Sequence, residues 1–321
     1  MNPNEIAEHF SPLWADLTPD TQFPALKPKL AHYTSLSTLE LILKSNEIWF
    51  SNPLYMNDHE EVRFGVLNGL KAVRESTEVR AALKTESRNR LLNLTLEDQF
   101  HKFDTEHLFN TYVFCASEHD PANTDGVLSQ WRAYGANGNG AALVIDTAAF
   151  NPKGPGAFTL AKVHYGSSSA RIDWLKAKVA EAAKIIGAVD FEDTDISTIA
   201  WCLFDRIKLF ALFTKHIGFE EEHEWRIVYL PERDVDKKYD NLFSYYNGPR
   251  GVEAKLKFPI RPIPELTADD FSLEKITAAI LLGPTTSSPL ALAAVRQMLI
   301  DNHHPALIPL VKASTIPLRH S

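Results

Sequence analysis

Cysteine is scarce in this chain: there are two among 321 residues, Cys115 and Cys202, widely separated and each set in apolar sequence. That argues against a disulfide framework or a paired-cysteine metal site, and it suits buried thiols in a reducing cytoplasm. Long apolar runs are lacking too. None approaches the ~20 residues that cross a bilayer, so no membrane association is expected. The opening MNPNEIAEHFSPLW has no basic segment leading into an apolar one, which predicts no signal peptide. Positive charge is in deficit, with 33 Lys and Arg against 41 Asp and Glu and a formal charge of −8. A surface basic throughout, the usual footprint of nonspecific nucleic-acid binding, is therefore not expected; a local basic groove is still allowed. What is present is ordinary globular material, 45% hydrophobic and 23% charged, enough for a sizeable core.

The pattern along the chain predicts an N-terminal arm over 1–28 and a single α+β domain over 29–321, with a mixed or split central sheet. Strands are expected near 30–34, 47–51, 111–117, 141–146, 158–165, 224–230, 252–259 and 276–282, with a last one in ALIPLVKAS (306–314). Residues 60–108 read as a helical insertion: EVRFGVLNGLKAV, then a basic-acidic helix, then LEDQFHKFDTEHLF. Two further helices are expected over 168–217, the second strongly apolar and running through TKH.

Four stretches carry more polar and aromatic residues than packing demands. AHYTS puts His32 and Tyr33 on a strand that runs straight into a helix; the plain alternative is a surface pair. SNPLYMND supplies Asn52, Asn57 and Asp58, which double as turn and capping residues. In SQWRAYGANGNG, Trp131 and Tyr134 stand three apart, on one face if helical. The glycines after them let backbone approach a ligand. The string is no phosphate loop, because it follows a helix and lacks the lysine and hydroxyl. FEEEHEWRIVYL (219–230) packs four carboxylates into five positions before a β-rich run. Strand alternation would put Glu222, Glu224 and Arg226 on one face. Either the cluster keeps a strand soluble, or one carboxylate works in a cleft. No metal site is expected there, since adjacent strand residues diverge.

Read in order, HYTSLSTLELILKSNEIWFSNPLYMNDHEE, FCASEHD, LSQWRAYGANGNGAALVID, KVHY, FEEEHEWRIVY and AAILLG resemble the bacterial family of domain of unknown function 2971, over roughly 29–283. One departure stands at Asn57-Asp58-His59-Glu60, where Pro commonly follows the Asp. The opening is also similar to the ADP-ribosyltransferase-like fold, which implies an α+β protein using NAD as co-substrate. In that resemblance His32 and Tyr33, an aromatic such as Tyr55 or Tyr134, and Asn57, Asp58 and Trp131 would hold the cofactor. Glu224, with Glu222 and Arg226, would be catalytic. The acceptor would be a macromolecule, nucleic acid or protein, and a toxin or anti-phage role would add an antitoxin or immunity partner.

Two other readings stay open. One is a metal-dependent nuclease or phosphoester hydrolase built on Asp58, Glu222 and Glu224. The other is a noncatalytic nucleotide- or partner-binding module. On the transferase reading, His32, Tyr33, Asn57, Asp58, Trp131, Tyr134 and Glu224 should surround one cleft. Glu224→Gln should then abolish activity and leave melting nearly unchanged.

Overall fold

The computed structural model describes residues 2–17, 22–55, 59–150, 156–248, 251–264 and 266–318. The arm begins as α1 (Pro3–Phe10), closed by a capping box between Asn2 and Glu5, and continues as a 3-10 turn over Ser11–Leu17. Next come β1 (Lys29–Ser35), α2 (Leu36–Ser45) and β2 (Glu47–Ser51). Ser35 accepts the Thr38 N–H to start α2. Asn46, at φ 52°, ends it, so the chain reverses within one residue.

The helical stretch then divides into α3 (His59–Glu75), α4 (Thr77–Leu83) and α5 (Glu86–Lys102). Ser76 and Thr85 separate them, each taking a backbone N–H as an N-cap. After them come β3 (Tyr112–His119), α6 (Leu128–Ala133), β4 (Gly140–Asp146), β5 (Phe158–Lys162) and β6 (His164–Gly166). Next are α7 (Ser168–Ala188), α8 (Ile196–Phe213), β7 (Thr214–His216), β8 (Glu224–Tyr229) and β9 (Phe243–Gly248). The chain closes with β10 (Gly251–Pro259), α9 (Leu273–Ile276), β11 (Thr277–Leu282), α10 (Pro289–Asp301) and β12 (Val311–Ala313).

Some of these differ from expectation. The strand expected over 158–165 breaks at Val163, whose N–H donates to Glu224 O; β6 then turns to pair with β7 in parallel. TKH is that strand β7, not the end of α8. The last strand shrinks to three residues because Pro305 and Pro309 hold Pro305–Leu310 in a 3-10 turn. Strand β9 was not foreseen.

The central sheet is mixed and forked. Among the described residues, its one parallel pairing is β11 with β12. One edge of β3 pairs with β8 along Tyr112–Ser117. Its other edge is shared, with β1 pairing as far as Ala31 opposite Ser117 and β2 touching only at Ser51 opposite Val113. From this fork β1 leads to β4, β11 and β12, while β2 leads to β10 and β9.

Alternation along β3 and β8 separates two cores. Phe114, Ala116, Trp225 and Tyr229 face an apolar layer that also takes in Leu143, Leu256 and Ile280. Val113, Ala161 and Val228 face the helices. On that side α8 is buried among α1, α3, α5 and α7, which explains its near-continuous hydrophobicity. Helix α3 lies hard against α8 because Gly65 permits it: a Cβ there would sit 2.6 Å from Ala211 Cα. Among the described residues no helix is long and apolar enough to cross a membrane.

Candidate functional site

The acidic cluster does not form one strand. Residues Ile217–Glu222 make a 3-10 turn, His223 takes a left-handed conformation at φ 42°, and the strand begins at Glu224. Glu220 and Glu221 are exposed, so those two charges are surface charges. The left-handed turn at His223 replaces the expected alternation, yet it still brings the Glu222 and Glu224 carboxylates to one cation. Lys215 Nζ donates to Glu222 Oε2 at 2.6 Å and to Glu224 Oε2 at 3.4 Å.

Glu224 is 5% exposed and fully engaged. Arg226 grips it with two parallel bonds, Nε to Oε1 at 2.9 Å and Nη2 to Oε2 at 3.0 Å. The remaining Arg226 Nη1 donates to Leu212 O at 2.7 Å, at the end of α8. The Glu224 N–H donates to Tyr165 Oη at 2.8 Å, and the Cys115 thiol lies against the carboxylate. Burial disfavours the charge, but Arg226 and then Lys215 outweigh it and hold the Glu224 pKa down at about 2. A carboxylate tied in this way resembles a buried strut more than an open catalyst.

Glu222 lies at the solvent side of the same group. Its Oε1 accepts from Tyr134 Oη at 2.8 Å, and its main-chain carbonyl accepts from Ser117 Oγ at 2.6 Å. Tyr134 is 49% exposed. Burial, followed by the Glu222 charge, raises its phenol, so it stays a donor. Trp131 and Tyr134 do not share a helix face: α6 ends at Ala133, and Tyr134, at φ −125°, swings outward while Trp131 is fully buried.

Trp131 is held beneath Tyr134. Its Nε1 donates to Asp125 O at 2.8 Å, and its ring meets Tyr33 edge-on at 4.8 Å. It lies between two glycines; a Cβ on Gly126 (φ 74°) or Gly135 would come within 2.8 Å or 2.5 Å of it. The Tyr33 hydroxyl accepts from Val127 N at 2.9 Å. Both aromatics therefore support the loop that presents Tyr134.

The single cleft expected from the sequence is not formed by the described residues. His32 lies on the opposite sheet face, its ring 4.7 Å from that of Phe114. There its Nδ1 donates to Cys115 O at 3.0 Å, satisfying a β3 carbonyl where the sheet forks. Burial lowers its pKa, so the ring is neutral. Tyr55 belongs to the Pro53–Tyr55 turn at the Tyr112 end of β3, five residues or roughly 17 Å of strand from Ser117. Asn57 and Asp58 lie outside the described residues, while Asn52 is buried and ties Leu108, Phe109 and Thr111 carbonyls to β2.

Sequence reasoning missed Lys215, Tyr165 and Ser117. A lysine directly after eighteen largely apolar positions was a readable signal. Tyr165 was not, because it reaches Glu224 only through the β6–β7 pairing. Among the described residues, no three His, Cys, Asp or Glu side chains are grouped to hold a metal. Both cysteines are free thiols, and burial, then Asp205, pushes Cys202 up to about 12.

The acid limb of stability follows from Glu224. Its folded pKa lies below the ordinary 4.5, so its contribution is complete above about 4.5 and is lost as pH falls toward about 2. The Tm difference between wild type and Glu224→Gln should therefore shrink across that interval, since Gln does not titrate. Melting curves at stepped pH test it; a constant difference would remove the linkage.

Comparison with curated proteins gives no match, and neither does comparison with solved structures. Residues 130–227 match the family described as "Protein of unknown function (DUF2971)". That span carries Trp131, Tyr134, Tyr165, Lys215, Glu222 and the Glu224–Arg226 pair. This stretch, which builds most of the cluster, is what the chain shares with that family.

Proposed function

We propose that this chain is an NAD-consuming transferase of the ADP-ribosyl type acting on a macromolecular acceptor, protein or nucleic acid, with Glu222 as its reacting carboxylate. The observation that carries the reading is the division of labour between the two glutamates. Glu222 is solvent-reachable and held on both oxygens by Tyr134 and Lys215, while the Glu224–Arg226 pair beneath it is closed and fixed. Breaking the nicotinamide–ribose bond builds positive charge on the ribose, as in glycoside hydrolysis. A carboxylate already locked in position stabilises that charge without reorganising. Nicotinamide leaves with the bonding electrons, the acceptor attacks the same carbon, and the acceptor's proton passes to Glu222 or water. The half-exposed Tyr134 ring offers a face for the flat leaving group.

The test is release of nicotinamide from NAD, alone and with cell-derived protein or RNA as acceptor. Glu222→Gln should cut the rate by about a hundredfold or more while leaving the fold intact. Equal rates for wild type and Glu222→Gln, or no turnover with any acceptor, would remove the reading.

A further inference from the structure

Arg171 is the least satisfied guanidinium among the described residues. Its side chain is 4% exposed, yet Nε and Nη2 are both buried without a hydrogen-bond partner. These two N–H groups form the parallel fork that suits a pair of oxygens on one carboxylate or phosphate. Arg226 supplies the comparison within the same molecule: its identical fork grips Glu224. Arg171 uses only Nη1, which donates to Glu61 Oε2 at 2.5 Å, and its plane lies 4.4 Å over the Phe64 ring.

Helix stability does not explain this residue, since Arg171 sits in the first turn of α7, at the end where a cation is disfavoured. The fold makes room for it: a Cβ on Gly166 would lie 3.3 Å from Arg171 Cγ. In the β6–β7 ribbon, Tyr165 is registered with Lys215, and Gly166 with His216. Tyr165 and Lys215 point toward Glu222 and Glu224. Arg171 packs on the other side, where Thr214 Oγ1 is also buried and unpartnered. The location is thus separate from the Glu222 cluster.

We propose that Arg171 anchors an oxyanion site of the phosphate class at its Nε–Nη2 fork, and that the Glu61 carboxylate on the neighbouring Nη1 competes with the anion through its charge. Glu61, 18% exposed, is the more solvent-reachable of the pair, so removing its charge favours the anion. The assignment is independent of the NAD reading.

The experiment measures Tm of wild type, Glu61→Gln and Arg171→Met in inorganic phosphate against chloride at matched ionic strength, with ADP-ribose as a further arm. Phosphate should raise the wild-type Tm with the logarithm of its concentration. Glu61→Gln should show the same rise at about tenfold lower phosphate, the internal competitor having lost its charge. Arg171→Met should show none. A rise with ADP-ribose below the phosphate range would assign the anion to a nucleotide diphosphate. A rise with phosphate alone would assign a free anion. Identical Tm in phosphate and chloride for wild type and Glu61→Gln would overturn the site, as would a rise that persists in Arg171→Met, the mark of an adventitious ion only. Should Arg171→Met fail to fold, the Glu61→Gln comparison decides.

Discussion

Glu224→Gln is expected to destabilise the protein by about 3–5 kcal/mol, the usual cost of removing one member of a buried ion pair. Arg226 is 2% exposed and also donates to the Leu212 carbonyl, so Gln removes the buried counter-charge of its guanidinium. Lys215, at 5% exposure, keeps Glu222 but loses its second carboxylate. The structure thus corrects the expectation that this substitution would spare melting. For a chain of this size the fall in Tm should be roughly 4–7 °C. Replacing both partners, Glu224→Leu with Arg226→Met, should recover much of the loss, because no unpaired charge remains. A Tm for Glu224→Gln within a degree of wild type would show that the pair bears no strain in the fold.

Trp131→Ala is expected to cost about as much, ~3–5 kcal/mol, by a different route. The indole fills the space between Gly126 and Gly135, and their backbones have no side chains with which to collapse into the cavity. Its loss also frees the Asp125 carbonyl and removes the edge contact to Tyr33. The Asp125 carboxylate meanwhile accepts from Thr315 N and Oγ1, so the C-terminal segment is tied to the same turn. Trp131→Phe should retain roughly half of the lost stability, keeping the ring but not the indole N–H. In both variants nicotinamide release should fall mainly through a higher KM, because Tyr134 loses its support while Glu222 keeps Lys215. A Trp131→Ala protein that melts like wild type would place the indole outside the core.

The elements were legible where period and breaker agreed. HYTS, WFS, FCAS, ALVI and WRIV alternate or run apolar between turn signals, and each became a strand. The sequence also marked Glu222, Glu224, Arg226 and Tyr134 as notable, and these four do meet. What it could not show was direction. One left-handed residue, His223, decides that Glu222 is on a turn and Glu224 on a strand. One helix terminus at Ala133 decides that Tyr134 faces water and Trp131 the core. The fork of β3 between β1 and β2 turns His32 from an expected cofactor contact into the partner of an orphaned carbonyl. The fork depends on pairings between strands about 60 or more residues apart, and local pattern carries no record of them. Lys215 was legible as a charge closing an apolar stretch, but its partners were not, being fixed by the turn that follows it.

The most direct measurement is nicotinamide release and Tm determined together for wild type, Glu222→Gln and Glu224→Gln. Glu222→Gln should lose about a hundredfold or more in rate with Tm near wild type, since Tyr134 is half-exposed, the Ser117 bond to the main-chain carbonyl is untouched and Lys215 keeps Glu224. Glu224→Gln should lose several degrees of Tm, with a smaller rate loss below its own melting range. The reverse pattern, a stable and inactive Glu224→Gln beside an active Glu222→Gln, would contradict the division of labour between the two carboxylates.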